Sequence, residues 1–243
     1  MNQDRKKYNI LGVIPARGQS KGLPGKNIKK LAGKPMIAYT IEAAKKSQLI
    51  SHLIVSTDDK KIAAISKKYG VEVPFLRPAE LAKDDTPQLP VMQHAINFME
   101  QREGLKFDYI VILQPTSPLK TVEIIDGTLD ELIKSGADSA VSIAEVRSNH
   151  PIKIKKFENG KVIPFCLPEP EGLRRQDFPK AYKRSSDAYA MKRDTIMVKN
   201  RLYGDNIAGF VVDSEFVVDI DSQEDFLVAE YKLKKFQGER LRT

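Results

Sequence analysis

Tyr8-Asn9-Ile10-Leu11-Gly12-Val13-Ile14 runs directly into Pro15-Ala16-Arg17-Gly18-Gln19-Ser20-Lys21-Gly22-Leu23-Pro24-Gly25-Lys26-Asn27, and this junction decides the fold. The first half reads as a strand buried on both faces, as in a parallel sheet. The second half is the loop at that strand's carboxyl end, where open α/β sheets bind ligands. Glycines at 18, 22 and 25 let the backbone turn tightly and bring its N–H groups close to an anion. Arg17, Lys21 and Lys26 add three cations, and the Arg fork matches phosphate oxygens, so the composition suits a triphosphate. The loop is not a P-loop, because Lys26 is followed by Asn27 rather than Ser or Thr. Nor does it contain the dinucleotide pattern GxGxxG.

Outward from this junction, apolar runs alternate with helical patterns, which predicts a mostly parallel sheet with crossover helices. Helices are expected at Pro35–Lys46, Lys60–Lys68, Pro90–Gln101, Val122–Lys134 and Gln223–Lys235, with Gly70 and Gly136 as stops. Strands are expected at Leu53–Ser56, Tyr109–Leu113, Ser139–Ile143, Phe210–Val212 and Phe216–Val218, with a short one at Val71–Leu76. From about Ala144 to Tyr189 the rhythm breaks. Prolines at 151, 164, 168, 170 and 179, with a β-like piece at Ile152-Lys153-Ile154, suggest an excursion from the sheet. The expected organisation is one domain over 1–243 with an inserted lobe at about 140–189.

The bulk numbers fit this picture. A chain of 243 residues, 41% hydrophobic, is ample for one buried core. No stretch approaches the roughly 20 continuous apolar residues of a membrane span. Met1 to Lys7 is polar and reads as no signal peptide, and the single Cys166 excludes an internal disulfide, so a reducing cytoplasmic setting is expected. The formal charge of +8 is scattered, without the aromatic-interleaved stripe or zinc-finger spacing of a nucleic-acid binder. His52, His94 and His150 share no metal or triad spacing, and all three read as structural.

Asp219-Ile220-Asp221 places two carboxylates at i and i+2, on one side of an extended strand, where they can share a hard cation. The same residues could equally form a turn whose aspartate caps the following helix. Gln114-Pro115-Thr116-Ser117-Pro118 follows the central strand at the ligand-facing edge. Asp58 suits a cap for the helix after it. Arg174 to Arg184 is the most basic part of the lobe.

Ile14 to Asn27 resembles the signature of the CMP-nonulosonate (acylneuraminate) cytidylyltransferases. Kdo cytidylyltransferases look similar but carry Arg before Leu-Pro and Lys-Pro-Leu after it, where this chain has Gly22 and Lys26-Asn27-Ile28. Matches recur in family order at Val55-Ser56-Thr57-Asp58, Arg77-Pro78-Ala79-Glu80-Leu81-Ala82, Leu113–Leu119 and Val218–Asp221. The resemblance implies a Rossmann-like, GT-A-like nucleotidyltransferase. Such an enzyme transfers CMP from CTP to the anomeric hydroxyl of a sialic, legionaminic or pseudaminic acid, with pyrophosphate released. It implies that Ala16, Arg17, Gly18, Ser20, Lys21, Lys26, Asn27 and Arg77 bind the nucleotide, with Lys21 nearest the reacting phosphorus. Arg17, Lys21 and Asp221 would be catalytic, and Asp219 and Asp221 would hold Mg²⁺, with Mn²⁺ able to substitute. Gln114, Arg175, Lys183 (or Arg184 beside it) and Tyr189 would meet the sugar, whose carboxylate calls for a cation. The lobe would form a homodimer and reach the partner's site, with neither nucleic acid nor membrane as partner. Two departures bear on the sugar: Ser185-Ser186-Asp187 replaces the usual Asn-Gly pair, and Lys183 replaces a commoner Arg. A related sugar or nucleotide, or a non-catalytic basic binding protein, are the competing readings.

Overall fold

The computed structural model describes residues 8–20, 22–146 and 148–240, with side chains of the last helix described to residue 236. Lys21, expected at the reacting phosphorus, lies outside the described residues. Strand β1 (Ile10–Pro15) is the axis of the sheet, pairing in parallel with β4 (His52–Ser56) and β5 (Tyr109–Ile112). The other members are β6 (Ser139–Glu145), β9 (Tyr182–Lys192) and β10 (Ile207–Val212), giving six strands in the order β10-β6-β9-β5-β1-β4. Only β9 runs antiparallel, against both β5 and β6. Two minor ribbons complete the strands: β2 (Lys30–Leu31) with β3 (Lys34–Pro35), and β7 (Lys155–Glu158) with β8 (Lys161–Pro164).

Helices cover both faces, which is why β1 is apolar without alternation. Ile10 and Ile14 point into a core with α1 (Met36–Ala44), α2 (Lys60–Lys68) and α4 (Val122–Ser135), through Ile37, Ile41, Ile62 and Leu129. Leu11 and Val13 point the other way, onto Met92, Ile96 and Met99 of α3 (Gln88–Glu103) and Ile196 of α5 (Arg193–Met197). A third cluster joins Leu23 of the first loop to Leu31, Met36, Val218 and Ile220. Phe226, Ala229 and Leu233 of α6 (Gln223–Arg240) close it. This cluster draws the chain's early loop and its late acidic segment together.

Several local expectations are corrected. Val71–Leu76 is not a strand; it makes two isolated parallel bridges, Ile54 with Glu72 and Thr57 with Leu76. Pro74 between them has no N–H to continue a ladder. Ile152 lies in a 3₁₀ turn, Pro151–Lys153, where His150 accepts from the Ile152 N–H. Phe216 ends another, Ser214–Phe216, capped by Asp213, and Val217 and Val218 follow as extended chain outside the sheet. The cap of α2 is Asp59, accepting from the N–H groups of Lys61 and Ile62 at 2.6 and 3.0 Å, and not Asp58. Both ends of the 140–189 stretch are strands of the main sheet. The excursion runs between Glu145 and Tyr182 and carries the β7–β8 hairpin, which leaves Phe157, Val162 and Phe165 exposed. No helix among the described residues is long and apolar enough to cross a membrane.

Candidate active site

A cavity of about 550 Å³ opens at the carboxyl ends of β1 and β5. Its floor and one wall come from the first loop: Pro15, Arg17, Ser20, Gly22, Lys26 and Asn27 line it. Side chains hold that loop in shape. The Asp58 carboxylate accepts from the Gly18 N–H at 2.9 Å, and the buried Asn27 amide donates to the Arg17 carbonyl at 2.9 Å. Gly18 itself lines a smaller adjoining hollow, and Ala16 is buried in the core, its N–H donating to the Ser56 carbonyl. Arg17 pairs with Asp84 at 2.8 Å.

Arg77 enters from the segment after β4. It is 7% exposed and donates from Nη2 to the Ser56 carbonyl and from Nε to the Ser56 hydroxyl. Burial, with Arg17 nearby, pushes its guanidinium down to about 10, so it remains a cation at neutral pH. Among the described residues no carboxylate lies within ion-pair distance of it, which leaves a buried cation facing the cavity and suited to an electron-rich ligand.

The opposite wall carries Gln114, Pro115 and Thr116 after β5, Ser186 and Tyr189 on β9, and the aspartates 219 and 221. The Ile220 N–H donates to the Thr116 carbonyl at 2.9 Å, and Val218 and Ile220 are buried in the third cluster. Asp219 and Asp221 alternate with the buried Val218 and Ile220, so both carboxylates face the cavity although the segment is not a strand of the sheet. Ser186 donates to Asp219 Oδ2 at 2.5 Å, and Lys26 Nζ donates to Asp221 Oδ1 and the Ile220 carbonyl, both at 2.8 Å. Among the described residues no cluster of three or more His, Cys, Asp or Glu exists. Two hard carboxylate ligands fit Mg²⁺, which takes one or two from protein when phosphates and water supply the rest.

Arg175 and Lys183 are exposed and do not line this cavity. Sequence reasoning missed Tyr203, which lines the cavity, packs edge-on to Tyr189 at 6.0 Å and carries Arg184 stacked on its ring at 4.7 Å. It also missed Gln88 and Thr86 on the Arg77 side. Nothing local in the sequence marks these residues; only the packing of α3 and β9 brings them in.

An open α/β sheet with a cation-rich glycine loop and an acidic pair facing one cleft defines a nucleotide-handling protein. The profile of the cytidylyltransferase family matches residues 11–237. The chain belongs to that family, in its nonulosonate branch. It is 35% identical to a CMP-N,N'-diacetyllegionaminic acid synthase of Campylobacter jejuni, covering 91% of this chain and 94% of the relative. It is 34% identical to the enzyme of the same name from Legionella pneumophila, covering 96% and 99%. The post-translational flagellin modification protein B of Campylobacter coli is also 34% identical, over 93% and 95%. The solved structure of a CMP:2-keto-3-deoxy-manno-octonic acid synthetase complexed with CTP superposes with a TM-score of 0.70. It is 18% identical and covers 93% of this chain and 99% of that one, a likeness of fold.

Proposed function

We propose that this chain transfers CMP from CTP to the anomeric hydroxyl of a nonulosonic acid, releasing pyrophosphate. One observation carries the reading: the cation-bearing first loop, Arg77 and the Asp219–Asp221 pair face a single cavity. In this reaction the sugar hydroxyl attacks the α-phosphorus, the bond to the β-phosphate oxygen breaks, and the hydroxyl proton is lost. Arg17 and Lys26, with Lys21, bind the triphosphate and neutralise charge on its oxygens. Arg77 and Asn27 hold the cytosine end, and Gln114 and Tyr189 the sugar. Asp219 and Asp221 hold Mg²⁺, which would polarise the phosphate.

Pyrophosphate release, measured with CTP, UTP, GTP and ATP against N,N'-diacetyllegionaminic, pseudaminic and N-acetylneuraminic acids, tests the reading. Legionaminic acid heads the panel because relatives at 34 and 35% identity bear its name. CTP with at least one of the three is expected to turn over, and only with divalent metal. Turnover confined to another nucleotide, or none with any acid sugar, sinks it.

The enzyme works as a homodimer in a cytoplasmic setting, with a second copy covering the hairpin face of Phe157, Val162 and Phe165 and Arg175 or Lys183 completing the partner's cavity. Support comes from the apolar exposure of the hairpin and the exposure of both cations outside their own chain's cavity. An Arg175→Ala/Lys183→Ala chain and an Asp221→Ala chain, each weak alone, are expected to regain activity when mixed and allowed to exchange subunits. Mixtures no better than the separate variants would place both cations in their own chain's site.

A further inference from the structure

Ser186 is half-buried on β9 and lines the cavity together with Tyr189 and Asp219. It belongs to Ser185-Ser186-Asp187, one of the two places where this chain departs from the family pattern. A serine hydroxyl has one proton and a carboxylate oxygen only accepts, so the 2.5 Å contact commits that proton to Asp219 Oδ2. The Ser186 oxygen is left as an acceptor, and the Tyr189 O–H donates to it at 3.4 Å, a longer and weaker link. Burial pushes the Tyr189 phenol up, so it keeps the proton that it gives. Its ring stands edge-on to Tyr203, 6.0 Å away. The three side chains thus form one directed chain, with the proton at each step pointing toward the carboxylate. Among the described residues, Asp219 Oδ1 accepts no hydrogen bond.

We propose that Ser186 is a positioning residue for the metal site: it clamps Oδ2 of Asp219 so that Oδ1 is presented to the divalent cation, and through Tyr189 it ties that carboxylate to the sugar-binding wall. Mg²⁺ demands near-ideal octahedral geometry, so with only two protein carboxylates the setting of each matters. Lys26 sets Asp221, and Ser186 is the corresponding partner of Asp219. Outer partners of this kind orient a ligating carboxylate and cost about tenfold to a hundredfold in metal affinity or activity when removed. At the other end, a phenol whose proton is turned to Ser186 has only its oxygen lone pairs to offer the cavity. Tyr189 therefore presents an acceptor, suited to a sugar hydroxyl or amide N–H.

This inference rests on the proposed function for its ligands. In calorimetry without sugar, the factor by which Mg²⁺ tightens CTP binding is expected to shrink about tenfold in Ser186→Ala. Ser186→Thr, which keeps the hydroxyl, should restore it, and both variants should melt with the wild type. With metal saturating, KM for the acid sugar should rise in Ser186→Ala. It should rise no further when Ser186→Ala is added to Tyr189→Phe, whose phenol is already gone. An unchanged metal effect in Ser186→Ala, a threonine variant no better than alanine, or a wild type whose CTP binding ignores Mg²⁺ overturns the clamp. Additive effects on the sugar KM overturn the tie to Tyr189. Metal-tightened CTP binding that weakens in Ser186→Ala, in a protein that turns over no acid sugar, would indict the functional reading alone.

Discussion

An Asp221→Ala variant is expected to lose at least about a hundredfold in turnover, the scale of one lost electrostatic contact at a reacting centre. Its fold should be untouched. The Asp221 side chain is 77% exposed and, among the described residues, is held by Lys26 in an ion pair of 2.8 Å. The capping that the sequence left as an alternative role for this aspartate is carried out by its neighbours. Ser222 Oγ accepts from the Asp225 N–H at 3.2 Å, and Asp225 Oδ2 accepts in return from the N–H groups of Ser222 and Asp221 at 2.9 and 3.2 Å. That reciprocal pair is a capping box, so α6 keeps its start when Asp221 is truncated. Stability should therefore stay within about 0.5 kcal/mol, as for exposed substitutions away from caps and cores. Steady-state kinetics beside a thermal melt checks both halves. Near wild-type rates would remove Asp221 from the mechanism, and a large drop in melting temperature would make the loss uninformative. Lys26 meanwhile sits where a divalent cation would compete for Asp221, so truncating the aspartate also frees a lysine for phosphate. The expected loss is thus a net figure.

Runs of buried aliphatic residues made β1, β4, β5, β6 and helices α1 to α4 legible in the sequence, with boundaries within two residues. Where the fold depends on long-range pairing, the sequence was silent. The stretch Tyr182–Lys192 contains no Val, Ile or Thr, yet it forms the strand between β5 and β6. Two neighbours, rather than its own propensity, make it a strand. The β7–β8 hairpin was readable in principle, because Asn159 and Gly160 adopt φ of 51° and 75°, as a two-residue hairpin turn requires. In the site, the first loop and the two aspartates could be read because each lies within a few residues of chain. Tyr203 could not: it reaches the cavity through packing against Tyr189 of β9, which no local pattern announces.

The close approach of the first loop to the acidic segment makes Gly22→Ala the second substitution with a large expected effect. A Cβ at Gly22 would lie 2.4 Å from the backbone oxygen of Asp221, nearer than any real contact. A backbone atom cannot swing aside as a side chain can, so one wall must move. Neither moves freely. Leu23 is buried with Val218 and Ile220, Ile220 donates to the Thr116 carbonyl, and Asn27 pins the loop through the Arg17 carbonyl. The expected result is a fall in kcat/KM of about tenfold to a hundredfold, because displacement of about 1 Å at a reacting centre is felt on that scale. Gly22 is itself exposed and at the rim, so the chain should still fold. Gly25→Ala is the informative control. That glycine sits at φ +66° with open space where its Cβ would go, so alanine there brings backbone strain of about 1–2 kcal/mol without pushing on Asp221. If the loop and the acidic pair work as one unit, Gly22→Ala should be much the more damaging to rate and Gly25→Ala the more damaging relative to its effect on rate when stability is measured. Equal rates for the two variants would mean that the contact between Gly22 and Asp221 opens before the chemistry, and that the cavity closes differently around its substrates.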